Sequence, residues 1–74
     1  MLDNASVAVS SLEWAGNILK EGKYAASRKI TEASSKQKFS LAQEWAQVNH
    51  EFSLLEEGLR SLLIRVEKLS DQGG

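Results

Sequence analysis

The 74-residue chain contains no cysteine and no proline, and each absence removes a class of structure. Without cysteine there is no disulfide and no thiolate metal site. A chain this short buries only about 60% of its unfolded surface, so it usually needs such reinforcement, unusually close packing or a partner. Proline, the strongest helix breaker, is also missing, and most of the abundant residues form or cap helices. Close packing of helices and association with a partner therefore remain as the means of stabilisation.

Long apolar runs and an excess of charge of one sign are also missing. No run approaches the roughly 18 residues that a membrane-spanning helix needs. The N-terminal MLDNASVAVSSLEW lacks the basic start and continuous apolar core of a signal peptide. The formal net charge is −1, so the chain as a whole is not a polycation suited to nucleic acid. We expect an intracellular, cytoplasmic protein without a membrane span, and we do not expect nucleic acid among its partners.

Residues that carry catalysis or bind metals are scarce. His50 is the only histidine, and no carboxylate lies three or four residues from it on the same helical face. Glu56 and Glu57 are adjacent, so on a helix their side chains diverge by about 100°. The sequence has no glycine-rich phosphate loop. We therefore expect no enzymatic activity, no catalytic residue, no metal site and no cofactor.

Apolar residues after position 40 follow alternating steps of four and three, which is the heptad pattern of a coiled-coil-like helix. They are Leu41, Trp45, Val48, Phe52, Leu55, Leu59, Leu62, Val66 and Leu69. Because Trp45 and Phe52 place large aromatic rings in this stripe, it needs small side chains opposite it.

The first half of the chain supplies those small side chains on one helical stripe. Its members are Ala8, Leu12, Ala15, Leu19, Gly22, Ala26, Ile30 and Ala33. The stripe keeps its phase on both sides of Gly22, which predicts a single helix there, although glycine inside a helix costs about 1 kcal/mol.

Folding the chain back near Gln37 pairs large residues with small ones. Phe52 then faces Gly22 and Leu59 faces Ala15, as interdigitating packing requires. We predict an all-α fold with one domain over 1–74, an antiparallel two-helix hairpin completed to a four-helix bundle by association. Helix 1 spans about 5–33, the turn about 34–40 and helix 2 about 41–71. The predicted seam between the helices consists of Leu12, Ala15, Leu19, Gly22, Ala26, Val48, Phe52, Leu55, Leu59, Leu62 and Val66.

The turn itself has only moderate local signals in ASSKQKFS, residues 33–40. Ser34 and Ser35 compete with the backbone for hydrogen bonds, and Ser40 with Gln43 resembles a capping box at the start of the second helix. Neither glycine nor proline occurs in the segment. The alternative is therefore one uninterrupted helical rod.

Several apolar residues lie outside the predicted seam, which indicates a second buried surface. These predicted interface residues are Val7, Trp14, Ile18, Leu54, Leu63 and Ile64. We expect a non-enzymatic interaction and scaffolding module, a small subunit that self-associates or docks onto a helical partner protein.

Two other functions remain open. Residues 20–38 carry six basic side chains against two acidic ones, which suits an anionic surface such as a membrane headgroup layer. Separately, ILKEGKYAASRKITEASSK (18–36) and LLIRVEKL (62–69) resemble parts of the MIT domain, an adaptor that binds short peptide helices. That resemblance implies three helices with a break at Gly22.

Overall fold

Two long helices form the whole of the described structure, a computed structural model that covers residues 3–72. Helix α1 spans Asn4–Ser35 and helix α2 spans Phe39–Asp71. They pack side by side in opposite directions, and the Cα trace measures 56 × 20 × 10 Å. This confirms the predicted all-α helical hairpin. Positions 1, 2, 73 and 74 of the predicted domain lie outside the described residues.

Helix α1 begins with a side-chain cap. Asp3 precedes the helix in an extended conformation, and its carboxylate accepts a hydrogen bond of 2.8 Å from the Ser6 backbone N–H. That hydrogen bond lowers the pKa of Asp3, because it favours the ionised carboxylate. The stabilising contribution of the cap is therefore present above the ordinary pKa of aspartate and is lost as the pH falls through the lowered value.

Gly22 lies inside α1, which continues through it without a break. The described residues therefore form two helices, and the break required by the resemblance to a three-helix adaptor does not occur.

The turn is a Schellman motif, in which two backbone hydrogen bonds close the end of α1. Lys38 N–H donates to the Ala33 carbonyl at 2.8 Å, and Gln37 N–H donates to the Ser34 carbonyl at 3.0 Å. Gln37 has a φ of 60°, the left-handed conformation for which glycine is the usual residue. This motif explains how a connection of three residues reverses the chain without glycine or proline.

Helix α2 begins two residues earlier than expected and has a different cap. Lys38 is its N-cap residue, and no side chain caps the helix there. Ser40 already lies inside the first turn, so the predicted Ser40 cap is wrong. The reason is that only Lys38 (φ −93°, ψ 72°) separates Gln37 from the helix, so α2 starts at Phe39, before the serine.

The core of the single chain is very small. Among the described residues only Ala26, Ala33 and Ala42 are buried, and no large side chain is fully enclosed. Two helices side by side cover each other along one line, so every larger side chain at their contact remains open to solvent on at least one flank.

Candidate protein-interaction surface

The α1 stripe predicted from the sequence faces α2. All eight of its residues are buried or half-buried. The helices approach closely at Gly22: a Cβ added there would stand 2.7 Å from both the Cε1 and Cζ atoms of Phe52. The ring of Phe52 therefore occupies the space that any side chain at position 22 would need.

Helix α2 follows the predicted heptad only in part. The column of residues Trp45, Phe52, Leu59 and Val66, spaced seven apart, is half-buried against α1. The other apolar column is exposed, so three predicted seam residues, Val48, Leu55 and Leu62, are not enclosed between the helices. This outer column consists of Leu41 (41% exposed), Val48 (36%), Leu55 (58%), Leu62 (42%) and Leu69 (58%).

Polar contacts to α1 account for the different rotation of α2. Asn49 Nδ2 donates to the Lys23 carbonyl oxygen and to Ser27 Oγ, each at 3.0 Å. Glu56 lies seven residues further on and pairs with Lys23 Nζ at 3.2 Å. On an ideal helix, a contact face that includes Asn49 and Glu56 is turned by about 50° from a contact face that includes both apolar columns. Asn49 is half-buried, and the α1 backbone supplies one of its two hydrogen-bond partners.

The predicted interface residues divide into two groups. Leu63 is half-buried and lines a cleft between the helices with Leu12 and Leu59, so it belongs to the seam. The same rotation of α2 explains this correction, because Leu63 lies on the column of Asn49 and Glu56. The remaining five are exposed at the surface: Val7, Trp14, Ile18, Leu54 and Ile64. Their part in an interface stays a prediction.

The outer column shares one side of the hairpin with part of α1. Leu41 lines a small cavity together with Lys29 and Glu32, which places these positions on the same side. Residues seven positions apart lie on the same face of a helix. The column of α1 that contains Glu32 therefore also contains Ala25, Ile18 and Ser11. Because the helices are antiparallel, we expect the same periodicity to bring Ile18 beside Leu55 and Ala25 beside Val48. We call the outer column with Ile18 and Ala25 the apolar side.

The opposite side of the hairpin is polar. The Lys23–Glu56 ion pair and the hydrogen bond from Asn49 to Ser27 lie there. Further along, charged side chains border the cleft at Leu12 and Leu59: Glu13, Lys20, Glu56 and Arg60. The apolar outer column lies on the other broad side, where the charged side chains Lys29 and Glu32 stand near the turn.

The outer column was missed as a candidate surface, although the sequence contained a signal for it. Asn49 and Glu56 lie one residue after Val48 and Leu55, at a spacing of seven. Because these two polar residues repeat with the same spacing as the apolar column beside them, they form a column of their own. That polar column can also face a neighbouring helix. Which column faces α1 depends on the hydrogen-bond partners that α1 offers, and sequence spacing does not show them.

Several basic side chains of the section 20–38 already contact other groups. Lys29 and Lys36 lie 3.7 and 3.6 Å from the two carboxylate oxygens of Glu32. The Arg28 guanidinium lies over the Tyr24 ring, with 5.9 Å between its Cζ atom and the ring centre. With Lys23 paired to Glu56 across the hairpin, much of this charge is balanced within the chain.

Residues 3–72 contain no helix that is long and apolar enough to cross a membrane. Within the same range, no three or more His, Cys, Asp or Glu side chains are grouped so that they would hold a metal ion. No protein-family model, curated protein or solved structure matches the chain.

Proposed function

We propose that this hairpin is a non-enzymatic interaction subunit whose apolar side packs against helices of another polypeptide chain. It would act as a scaffold or as part of a larger helical assembly, without a cofactor. The cytoplasmic location expected from the sequence remains part of the proposal.

The observation that carries the proposal is the exposure of large apolar side chains in a protein with almost no core. Twelve large hydrophobic side chains among residues 3–72 are exposed, whereas the buried residues in this range are three alanines. Five of the twelve form the outer column, so they are aligned rather than scattered. Contiguous apolar surface of this kind is typical of protein-binding sites and is unusual on monomers.

The other two functions have less support. An adaptor resembling the MIT domain would need a third helix to form its peptide groove, and the described residues form two. A binder of anionic surfaces would have to compete with Glu32 and Glu56, which pair with Lys23, Lys29 and Lys36. The apolar side has no such internal competitor.

The mass of the complex formed in a cell extract tests the proposal. We expect the tagged full-length chain to sediment with a mass well above 8.2 kDa. Leu55→Lys should shift it toward the free chain, because a lysine in the middle of the outer column introduces an unpaired charge into an apolar contact.

Leu54→Lys is the matched control, because Leu54 is 52% exposed, adjacent in sequence and directed away from the apolar side. The proposal therefore gives Leu54 no part in this contact, although the sequence predicts it as an interface residue. It should leave the large complex intact. Sedimentation of the unmodified chain as free monomer in the extract, or equal loss of the complex in both variants, would contradict the proposal.

A further inference from the structure

We infer that the partner on the apolar side is a second copy of this chain, related by a two-fold axis that passes beside Leu55. This inference rests on the proposed function and specifies the occupant of the surface. The turns of the two hairpins lie at opposite ends, and the two outer columns run antiparallel to each other.

The outer column is symmetric about Leu55, as a two-fold contact requires. Leu55 is the middle residue of Phe39–Asp71, and the column extends two heptads from it in each direction. An antiparallel pair therefore sets Leu55 against Leu55 and Val48 of one copy against Leu62 of the other. Ile18 lies beside Leu55, so the same axis also brings the Ile18 residues of the two copies together.

The charges at the rim of the outer column fit the same arrangement. The next column outward on α2 contains Glu44, Glu51, Gly58 and Arg65. In the antiparallel pair Glu44 of one copy lies opposite Arg65 of the other, and Glu51 lies opposite Gly58. Opposite charges therefore meet twice, and no acidic side chain faces another, which is the pattern by which coiled coils select partner and orientation.

An arrangement with both turns at one end has poorer complementarity. It would lay α1 of one copy over α2 of the other and set Glu32 against Leu41, a charge against an apolar side chain. Glu21 would also lie close to Glu51, and like charges at such a contact disfavour it. The charge pattern therefore favours turns at opposite ends.

The broad face that carries the apolar side is large enough for a stable dimer. The broad face measures 56 × 20 Å between Cα atoms at its limits. A stable protein–protein interface needs about 800 Å² per partner, so this face has enough area even if its margins stay exposed. The resulting dimer is a four-helix bundle whose core is formed by the outer columns with Ile18 and Ala25.

Sedimentation of the purified chain tests self-association. The unmodified chain should have twice the monomer mass of 8.2 kDa at micromolar concentration. Leu55→Lys places two lysines against each other at the axis and should weaken the dimer about 100-fold or more. Leu54→Lys should leave it unchanged, and circular dichroism should show similar helicity in all three, because both leucines are exposed in the single chain.

A charge exchange tests the register without touching the apolar side. Glu44→Arg alone and Arg65→Glu alone should each weaken the dimer, because each sets like charges against each other. The double variant should restore it to within a few fold of the unmodified chain. Equal weakening in the single and double variants would overturn the antiparallel register.

Cross-linking gives a second measure of register, because the chain has no cysteine of its own. Leu55→Cys should form a disulfide-linked dimer on oxidation. Val48→Cys should do so only when mixed with Leu62→Cys. Efficient cross-linking of Val48→Cys to itself, or of Leu55→Cys to Ile18→Cys in place of itself, would overturn the arrangement.

A purified chain that stays monomeric up to several hundred micromolar would overturn the second copy as partner. The proposed function would survive that result if the complex in cell extract still depended on Leu55. If the chain associates neither when pure nor in the extract, the proposed function and the inferred dimer are both wrong.

Discussion

The two helices are almost equal in length, but they contact each other with side chains of different kinds. Helix α1 contributes small residues such as Gly22 and Ala26, which allow close approach. Helix α2 contributes rings such as Phe52 together with the polar Asn49 and Glu56. As a result α1 has a single contact stripe, whereas α2 has two apolar columns and directs only one of them at α1.

This difference shows that a regular heptad does not by itself determine which residues face the neighbouring helix. In α2 the polar Asn49 lies next to Phe52 on the side that faces α1, whereas the apolar Val48 and Leu55 belong to the exposed outer column. A hairpin that was complete by itself would bury the leucines and expose the asparagine. The reverse arrangement is consistent with a second apolar contact outside the single chain.

The largest expected effect comes from filling the space at Gly22. Gly22→Leu should destabilise the hairpin by about 1–3 kcal/mol, the usual cost of overpacking, because Phe52 occupies the position of the new side chain. Thermal unfolding followed by circular dichroism would measure this change. It would also show whether the hairpin requires small side chains on α1 opposite the large side chains of α2.

Gly16→Leu is the matched control, since no atom lies within 4 Å of a Cβ at Gly16. It should be neutral or stabilising by up to about 1 kcal/mol, because leucine forms helices better than glycine. Equal destabilisation by both substitutions would contradict the placement of Phe52 against Gly22.

A smaller effect is expected from the two neighbouring columns of α2. Asn49→Ala should cost about 1–2 kcal/mol, because it removes hydrogen bonds to the Lys23 carbonyl and to Ser27. Val48→Ala should cost less than half as much when unfolding is measured on the dilute, monomeric chain, since Val48 faces solvent there. A larger loss of unfolding free energy for Val48→Ala than for Asn49→Ala would contradict this orientation of α2. It would support the orientation that the heptad alone predicts, with Val48 facing α1.

The smallest expected effect concerns the connection between the helices. Gln37→Gly should stabilise the hairpin by about 0.5–1 kcal/mol, because glycine adopts the left-handed conformation of this residue without steric cost. Urea unfolding of this variant beside Ser35→Gly, a change within the last turn of α1, would measure the difference. Destabilisation by Gln37→Gly would show that the turn does not have the conformation described.

Much of the fold could be predicted from residue spacing and size. The complementarity of Gly22 and Phe52 indicated the hairpin, and all eight residues of the predicted α1 stripe are buried or half-buried. The sequence did not predict which face of α2 contacts α1 or the conformation of the turn, because these depend on particular hydrogen bonds. Asn49 donates a hydrogen bond to a backbone carbonyl of α1, and Gln37 has a left-handed conformation that glycine usually adopts. Neither composition nor periodicity predicts these two features.

The positions of the three buried alanines have a consequence for the entropy of chain closure. Ala33 and Ala42 flank the turn and Ala26 lies two helical turns before Ala33. Contacts near the turn close the shortest loops, and the entropic cost of closing a loop rises with its length. The most completely buried contacts are therefore those that cost the chain least entropy to form. Toward the open ends of the hairpin the cost of closure is greater and the burial within one chain is smaller.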